Sequence, residues 1–383
     1  METPGPSGHS STSGQGLTRQ LGLLGLVATG VCAMMGAGIN VIPIMIQRNV
    51  PGIGPYVLLA YGLAVVPALL SALAYAILAS AMPRAGGSYV YASRALSPFL
   101  GFVASFSQWF GLSIAIGVVS YVLIPFLRDI AAALELVGLA KVLDTGPLRL
   151  LLPLGFLWCF TVVNLLGIKV YERTLVPLMF LMFVGGAVVI PAGFYFSQAD
   201  FIAAVGEKEG LSVALESTVS FAWGPVLAAS VILFSTFIGF DSIAQAGGEA
   251  KDPNRTLPLA IGLTLFVVGA YYLLFTAAIY HAIPWSFVAH RAVESDLTAP
   301  GLLGYLLTPG WTVIIVTGAA IALANDLPAM ILSVSRLMFA WGEDGVFPGA
   351  VARVHRRWRT PHVALLLSSL MASVGILGNH LAG

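Results

Sequence analysis

Two glycine-containing interruptions lie inside otherwise apolar segments, about half a chain apart. The first is GAGINVIP at residues 36–43, and the second is STFIGFD at residues 235–241. In a lipid bilayer a helix satisfies its own backbone hydrogen bonds, so a break there exposes N–H and C=O groups that must meet protein, water or a ligand. Two such breaks at matching places in two halves of a chain predict a binding site near the middle of a membrane.

The first interruption is built from small residues and contains no acid. Gly36, Ala37 and Gly38 would let a ligand approach main-chain N–H groups, and Pro43 removes a backbone donor a turn later. The half-helix after the break would direct the positive end of its dipole at the same place, which suits a carboxylate. The alternative is that these small residues only allow two helices to pack closely.

The second interruption combines two hydroxyls, a glycine, two aromatic rings and an acid. If the chain unwinds between Ser235 and Gly239, its carbonyl groups can accept hydrogen bonds from an ammonium group, and Phe237 or Phe240 can cover the ligand. For Phe240 the alternative is ordinary core packing. Together the two interruptions match the two charges of a zwitterion.

Two carboxylates lie within apolar segments. An ionised Asp at the centre of a membrane helix costs about 2.5 to 3.5 kcal/mol, so Asp241 and Asp326 should face a polar cavity or be protonated part of the time. Both are candidates for coupling or gating, although Asp241 could also be a structural hydrogen-bond acceptor. Asp326 stands beside Asn325 and two residues before Pro328, which frees a backbone carbonyl and favours local hydration.

The composition is typical of a polytopic, all-α membrane protein. Of the 383 residues, 58% are hydrophobic and only 9% are charged, and the mean hydropathy is +0.92. About nine apolar segments are long enough to span a bilayer. They lie at residues 19–47, 55–81, 97–127, 149–168, 174–196, 223–246, 257–281, 311–340 and 361–380.

The loops predict the orientation of these segments. Lys and Arg residues are about twice as frequent in the loops on the amino-terminal side as in those on the other side, which places the amino terminus in the cytoplasm. Residues 1–18 are expected to be a disordered cytoplasmic tail rather than a signal peptide, because they begin with a polar stretch rich in Gly, Ser and Pro. Residues 197–222 are expected to be an extracellular linker.

Several other kinds of function have no support in the sequence. It contains no HExxH, GxSxG or Walker-type motif and no paired Cys or His ligands, so we expect neither an enzyme nor a metal or cofactor site. The net charge is +1, and no basic run is interleaved with aromatic residues, which argues against nucleic acid as a partner. Cys32 and Cys159 both lie in apolar segments, which excludes a disulfide framework and predicts core packing for each.

Four stretches resemble the bacterial amino acid permeases of the amino acid–polyamine–organocation superfamily. They are GAGINVIP, PRAGGSYVYASRALSPFLGF at 83–102, FIGFDSIAQAGGEAKDPNRTLPLAI at 237–261, and SRLMFAWGEDGVFP at 335–348 followed by RTP at 359–361. The resemblance implies a LeuT-like fold, in which helices one to five and six to ten form inverted repeats and the first helix of each repeat is broken. The first repeat is then expected at 19–196 and the second at 223–383.

The resemblance also implies roles for single residues. The N–H groups of Gly36, Ala37 and Gly38 would take the substrate carboxylate, and the carbonyl groups of Met34, Ser235 and Ile238 would take its amine, with Phe237 or a neighbour as a gate. The third and eighth helices would flank the pocket, so Ser107, Trp109 and Ser113 are weaker candidates for its wall.

Some positions depart from the family pattern. Ala37 stands where relatives often have Ser, and Asn40 replaces a residue that is usually aromatic, which makes the pocket more polar. Residues 174–196 contain no lysine, so the coupling of relatives that carry one in their fifth helix does not transfer. A coupling role for Asp326 is our own hypothesis. The family usually has about twelve helices, and the second repeat seen here would lack its last, which suggests a fragment or a shortened relative that needs a partner.

These features predict a secondary transporter of amino acids or related amines in the cell membrane. It would work by alternating access, with a proton as the coupling ion or by exchange of substrates. The alternative is a transporter-like sensor or accessory subunit that binds an amino acid without moving it. The sequence carries no prediction of the oligomeric state.

Overall fold

The computed structural model describes residues 16–145, 147–210, 219–295 and 297–382, which fold into a bundle of α-helices. Within these ranges nine segments are long and apolar enough to cross a membrane. The predicted all-α, polytopic architecture is therefore confirmed. In chain order the helices are α1 (Leu23–Met34), α2 (Ala37–Asn49), α3 (Val57–Ala81), α4 (Gly87–Ala95), α5 (Pro98–Ala133), α6 (Val137–Thr145), α7 (Leu148–Leu165), α8 (Ile168–Tyr195), α9 (Gln198–Glu209), α10 (Trp223–Phe234), α11 (Asp241–Gln245), α12 (Pro253–Ala282), α13 (Trp285–Glu294), α14 (Ala299–Leu303), α15 (Pro309–Glu343) and α16 (His362–Ala382).

The first and the sixth apolar segments are each made of two helices, as the glycine-containing motifs predict. In the first segment α1 ends at Met34, and α2 begins at Ala37 after a break at Met35 and Gly36. In the sixth segment α10 is followed by a 3₁₀ turn at Ser235–Phe237 and a bend before α11. Gly239 has a φ of +141°, a conformation that residues with a side chain rarely adopt.

Some predicted segments are shorter than the helices that form. The sequence predicts the fifth segment at 174–196, but α8 begins at Ile168. The third segment is predicted at 97–127, but α5 continues to Ala133. Charged residues such as Lys169 and Arg128 continue these helices past the apolar stretch, and hydropathy alone does not reveal such extensions.

The predicted tail and linker lie partly outside the described residues. Residues 1–15 of the predicted tail lie outside the described part of the chain, whereas Gln20 and Leu21 both donate backbone N–H bonds to the Glu249 carbonyl, at 2.9 Å each. Of the predicted linker 197–222, residues 198–209 form α9, which begins with a capping box between Ser197 and Asp200, and residues 211–218 are not described.

The centre of the bundle is formed by the broken first segment and by α15. Almost every residue of α15 from Ile315 to Trp341 is buried, and α15 packs along α1, α5, α7, α8 and α16. On α3, by contrast, Leu69, Leu70 and Leu73 are exposed, as expected for side chains that face lipid rather than water. Cys32 is buried as predicted, but Cys159 is exposed, because a membrane protein can direct an apolar side chain outward.

A buried ion pair closes one end of the bundle. The guanidinium of Arg336 on α15 donates to both carboxylate oxygens of Glu249, at 2.9 and 2.7 Å, and both side chains are 1% exposed. The next residue after Glu249 forms an isolated β-bridge with Leu21. The ion pair and the neighbouring bridge together therefore connect the residues before α1, the residues after α11, and α15.

Two glycines allow α8 and α15 to cross at close range. A Cβ atom added at Gly185 would lie 2.8 Å from the Cα atom of Gly318, and the converse distance is also 2.8 Å. Contacts of this kind between small residues are typical of helix pairs in membranes.

We expect Gly318→Ala to lower the free energy of unfolding by about 1 to 3 kcal/mol, because the added methyl group must push the helices apart. Gly62→Ala on α3 is the matched control, since a Cβ atom there meets nothing within 4 Å. Denaturant unfolding of the purified protein in detergent measures both variants. Equal stability of the two would contradict the close crossing.

Candidate functional site

The two helix interruptions contact each other. A Cβ atom at Gly239 would collide with the backbone carbonyl of Ala33, the residue before the last of α1. The hydroxyl of Tyr272 on α12 lies between two further carbonyls and donates to those of Met34 and Thr236, the latter at 3.1 Å. The carbonyl-rich ends of α1 and of the 3₁₀ turn are thus held together at one point in the bundle.

A cavity of about 390 Å³ opens beside this contact. Its size is in the range of sites for small organic molecules. It is lined by residues of α1, of α5, of the second interruption, of the start of α11 and of α15, namely Ala33, Ser107, Gln108, Gly111, Leu112, Ala115, Ser235, Ile238, Gly239, Asp241, Ser242, Asp326 and Met330.

Asp241 lines this cavity and also stabilises the second interruption. One of its carboxylate oxygens accepts from the side-chain amide of Gln108 on α5, and the other accepts from the backbone N–H of Gly239 at 3.1 Å. The residue is only 8% exposed. Asp241 is therefore both a hydrogen-bond acceptor within the second interruption and part of the cavity wall.

Asp326 lines the same cavity with fewer partners. A Cβ atom at Gly36 would overlap its Oδ2 atom, so this carboxylate lies directly against the break between α1 and α2. Its Oδ1 atom is buried and accepts no hydrogen bond from the described residues. The first turn of α2 leaves N–H groups without partners inside the helix and carries the positive end of the helix dipole. Asp326 is thus the negative side chain at that end.

The residues predicted to take a substrate carboxylate are not on the cavity wall. Gly36 is covered by Asp326, and a Cβ atom at Gly38 would face the Tyr272 hydroxyl at 3.4 Å. The Asn40 amide donates to the Gly36 carbonyl at 3.3 Å. Ala37 begins α2, and its side chain lies outside the described residues.

Only some of the residues predicted to bind the amine line the cavity. Ser235, Ile238 and Gly239 line the cavity, whereas the Met34 carbonyl accepts from Tyr272. The ring of Phe237 is buried between Tyr61 and Tyr272, with centroid distances of 6.2 and 5.4 Å. The ring of Phe240 packs edge-on against Tyr75 at 5.5 Å. Neither ring lines the 390 Å³ cavity, so a gating role for either would need a different conformation.

Of the three α5 residues predicted to line the pocket, only one does so. Ser107 lines the cavity and donates to the Val103 carbonyl at 3.0 Å. Trp109 donates instead to the hydroxyl of Ser368 on α16 at 2.9 Å, and Ser113 is buried away from the cavity.

Sequence reasoning missed Gln108 and Tyr272. Gln108 is a polar residue in the middle of the apolar run FSQWF, which is a usable signal. Tyr272 stands next to Tyr271 in an apolar segment, and nothing in that pattern indicates which of the two hydroxyls reaches the interruptions.

A second cavity, of about 760 Å³, lies between the far end of α2, α5, α13 and α14. Charged residues at its wall include Arg48, Asp129 and Arg291, and Arg291 pairs with Glu209 at 3.2 Å. Burial and the neighbouring Glu209 carboxylate raise the pKa of Tyr305, so its hydroxyl stays neutral and donates to Glu209. This end of the bundle thus has a polar opening.

Comparison with known proteins agrees with the family that the motifs indicated. The family model described as amino acid permease matches residues 21–380. The chain is 25% identical over 374 residues to the vacuolar cationic amino acid transporter 4 of Arabidopsis thaliana, covering 93% of this chain and 58% of the relative. It is 27% identical over 323 residues to the low-affinity putrescine importer PlaP of Escherichia coli (strain K12), covering 83% and 66%.

A third relative is the branched-chain amino acid permease BcaP of Bacillus subtilis (strain 168), which is 26% identical over 382 residues, covering 95% of this chain and 76% of the relative. The chain spans little more than half the length of the cationic amino acid transporters it matches, 58% of the Arabidopsis protein and 56% of transporter 4 of Homo sapiens. These relatives are permeases and transporters rather than enzymes. Because the family model covers nearly the whole sequence, the chain belongs to the amino acid permease family.

Proposed function

We propose that this protein is a secondary transporter of amino acids or related amines that works by alternating access. The observation that supports it most is the cavity where the two helix interruptions meet, because unwound backbone and two carboxylates in one cavity are what a polar substrate needs inside a membrane. Relatives named for cationic amino acids, branched-chain amino acids and putrescine agree with a small nitrogen-containing substrate.

In this proposal the amine of the substrate binds on the side of Ser235, Ile238 and Asp241, and Asp326 couples binding to proton movement. Each carboxylate is buried and has no basic partner among the cavity-lining residues, so it must gain either a proton or a cation. One charge moved across about 100 mV is worth roughly 2.3 kcal/mol, which is enough for about a 40-fold accumulation.

The proposal includes a LeuT-like arrangement in the plasma membrane with a cytoplasmic amino terminus. The segments from α1 to α8 would form the first repeat and those from α10 to α16 part of the second. The positions of the two interruptions, in the first and the sixth segments, support this arrangement. The basic residue range 353–359 between α15 and α16 supports the orientation. The 760 Å³ cavity would then be the external opening.

Substrate-dependent counterflow in liposomes tests the proposal, with a panel of amino acids and amines. We expect Asp241→Asn and Asp326→Asn each to lower uptake about tenfold or more and to flatten its dependence on pH, because each removes a charge-assisted contact. Glu207→Gln, an exposed carboxylate on α9, is the matched control.

If both cavity variants keep the uptake and the pH dependence of the unmodified protein, acid-based coupling is wrong. If amino acids or amines raise the melting temperature of the purified protein but no member of the panel shows counterflow, the sensor alternative replaces transport.

A further inference from the structure

The charges around the 390 Å³ cavity are all of one sign. Its lining includes Asp241 and Asp326 and no Lys, Arg or His among the described residues. Charges removed from water are stable only when they are paired, and no cation of the protein does this here. Each carboxylate must therefore gain a proton or a cation. The single ammonium group of a zwitterionic ligand can pair with only one of them and brings a further carboxylate, whereas a ligand with two ammonium groups compensates both.

Asp326 also occupies the place where the carboxylate of an amino acid would be expected. Its Oδ2 atom lies against Gly36, directly before the first turn of α2 and its free N–H groups. A substrate carboxylate at those N–H groups would come close to the Asp326 carboxylate. Two carboxylates at one site repel each other strongly enough that one must be protonated. The Asp326 carboxylate is therefore already the anion at the positive end of α2.

One carboxylate oxygen of Asp326 lacks a hydrogen-bond donor. Its Oδ1 atom is buried and accepts no hydrogen bond from the described residues, although a buried carboxylate oxygen ordinarily has at least one partner. An ammonium group supplies three donors and a full positive charge. Asp241, on the wall of the same cavity, accepts hydrogen bonds from the Gly239 N–H and the Gln108 amide and supplies the second negative charge.

We propose, resting on the transport function above, that the substrates are small organic amines without a free carboxylate, with α,ω-diamines preferred. One ammonium group binds Asp326 in place of the coupled proton, and the other binds on the Asp241 side, near the Gln108 amide. The unbranched chain between them lies along the apolar part of the wall, formed by Leu112, Ala115 and Met330.

Matched pairs that differ only by a carboxylate test this directly. Putrescine is compared with ornithine, cadaverine with lysine, and 3-methylbutylamine with leucine, by equilibrium binding to the purified full chain in sodium-free buffer. We expect the amine to bind about tenfold or more tightly than the amino acid in each pair, and the two diamines most tightly, as one charge-assisted contact is worth about that factor.

Asp326→Asn should lower the affinity for putrescine at least about tenfold and bring each pair close to equal affinity. Asp326→Glu keeps the charge and should retain a measurable preference for the amines. The melting temperature of both variants reports folding separately, and Glu207→Gln should bind like the unmodified protein.

Three results would overturn the inference. Tighter binding of the amino acid in each pair would show that the N–H groups of α2 receive a substrate carboxylate, and it would leave the proposed transport intact. Stabilisation by sodium ions alone, with no effect of diamines, would assign Asp326 to a metal ion. Failure of all six compounds to bind the folded protein would contradict both the inference and the proposed function.

Discussion

Gly36→Ala is expected to lower substrate affinity about tenfold or more, because it displaces the Asp326 carboxylate and so removes a charge-assisted contact with the substrate. The added methyl group would overlap the Asp326 carboxylate and push it out of the break between α1 and α2. Gly38→Ala, two residues along, should change affinity less than about threefold, since its Cβ atom would meet Tyr272 and Thr236 only at 3.4 and 3.5 Å. Equilibrium binding of radiolabelled substrate measures both.

A double-mutant cycle on stability separates this contact from a general effect on folding. Gly36→Ala should lower the melting temperature clearly in the unmodified protein and only slightly in an Asp326→Ala background, where the overlapping carboxylate is gone. Equal losses in the two backgrounds would show that Gly36 and Asp326 do not meet as described.

Glu249→Gln is expected to lower the free energy of unfolding by about 3 to 5 kcal/mol, because it leaves the guanidinium of Arg336 buried and without its partner charge. Arg336→Met should cost a similar amount by leaving the carboxylate alone. The double substitution of Glu249→Leu with Arg336→Met should be close to neutral, since apolar groups of similar volume replace both charges. Denaturant unfolding in detergent measures the four proteins.

The exposed ion pair between Arg84 and Asp344, at 3.2 Å, is the control for this series. Both side chains are more than a quarter exposed, so Arg84→Gln should cost at most about 1 kcal/mol. A loss for Glu249→Gln no larger than for Arg84→Gln would mean that Glu249 and Arg336 do not form a buried pair in the folded protein.

The sequence predicted the helix interruptions because their signal is local. Gly36, Gly239 and the flanking small or polar residues break an apolar run, and a bilayer leaves few reasons for such a break. The same reasoning identified Asp241 and Asp326 as unusual, since a carboxylate in an apolar segment is costly wherever it lies. Both residues line the 390 Å³ cavity.

The directions in which individual side chains point could not be predicted from the sequence. Phe237 and Ile238 are neighbours, yet the ring of Phe237 is buried beside Tyr61 and only Ile238 lines the cavity. Their directions depend on the backbone angles of a bend that follows no helical period. The contact of Asp326 with Gly36 depends on the register between α15 and α1, helices that are far apart in sequence, so no local pattern encodes it.

Substrate protection of a single cysteine tests most directly whether the substrate occupies this cavity. Cys32 and Cys159 are replaced by alanine, and a thiol is introduced at Ser107 on the cavity wall or, as a control, at exposed Ala199 on α9. Labelling by a water-soluble thiol reagent is then followed with each compound that shows counterflow. We expect saturating substrate to slow labelling of Ser107→Cys about tenfold or more, as a bound ligand leaves only the unoccupied fraction reactive, and to leave Ala199→Cys unchanged. Equal labelling of Ser107→Cys with and without substrate would contradict a substrate site between the two helix interruptions.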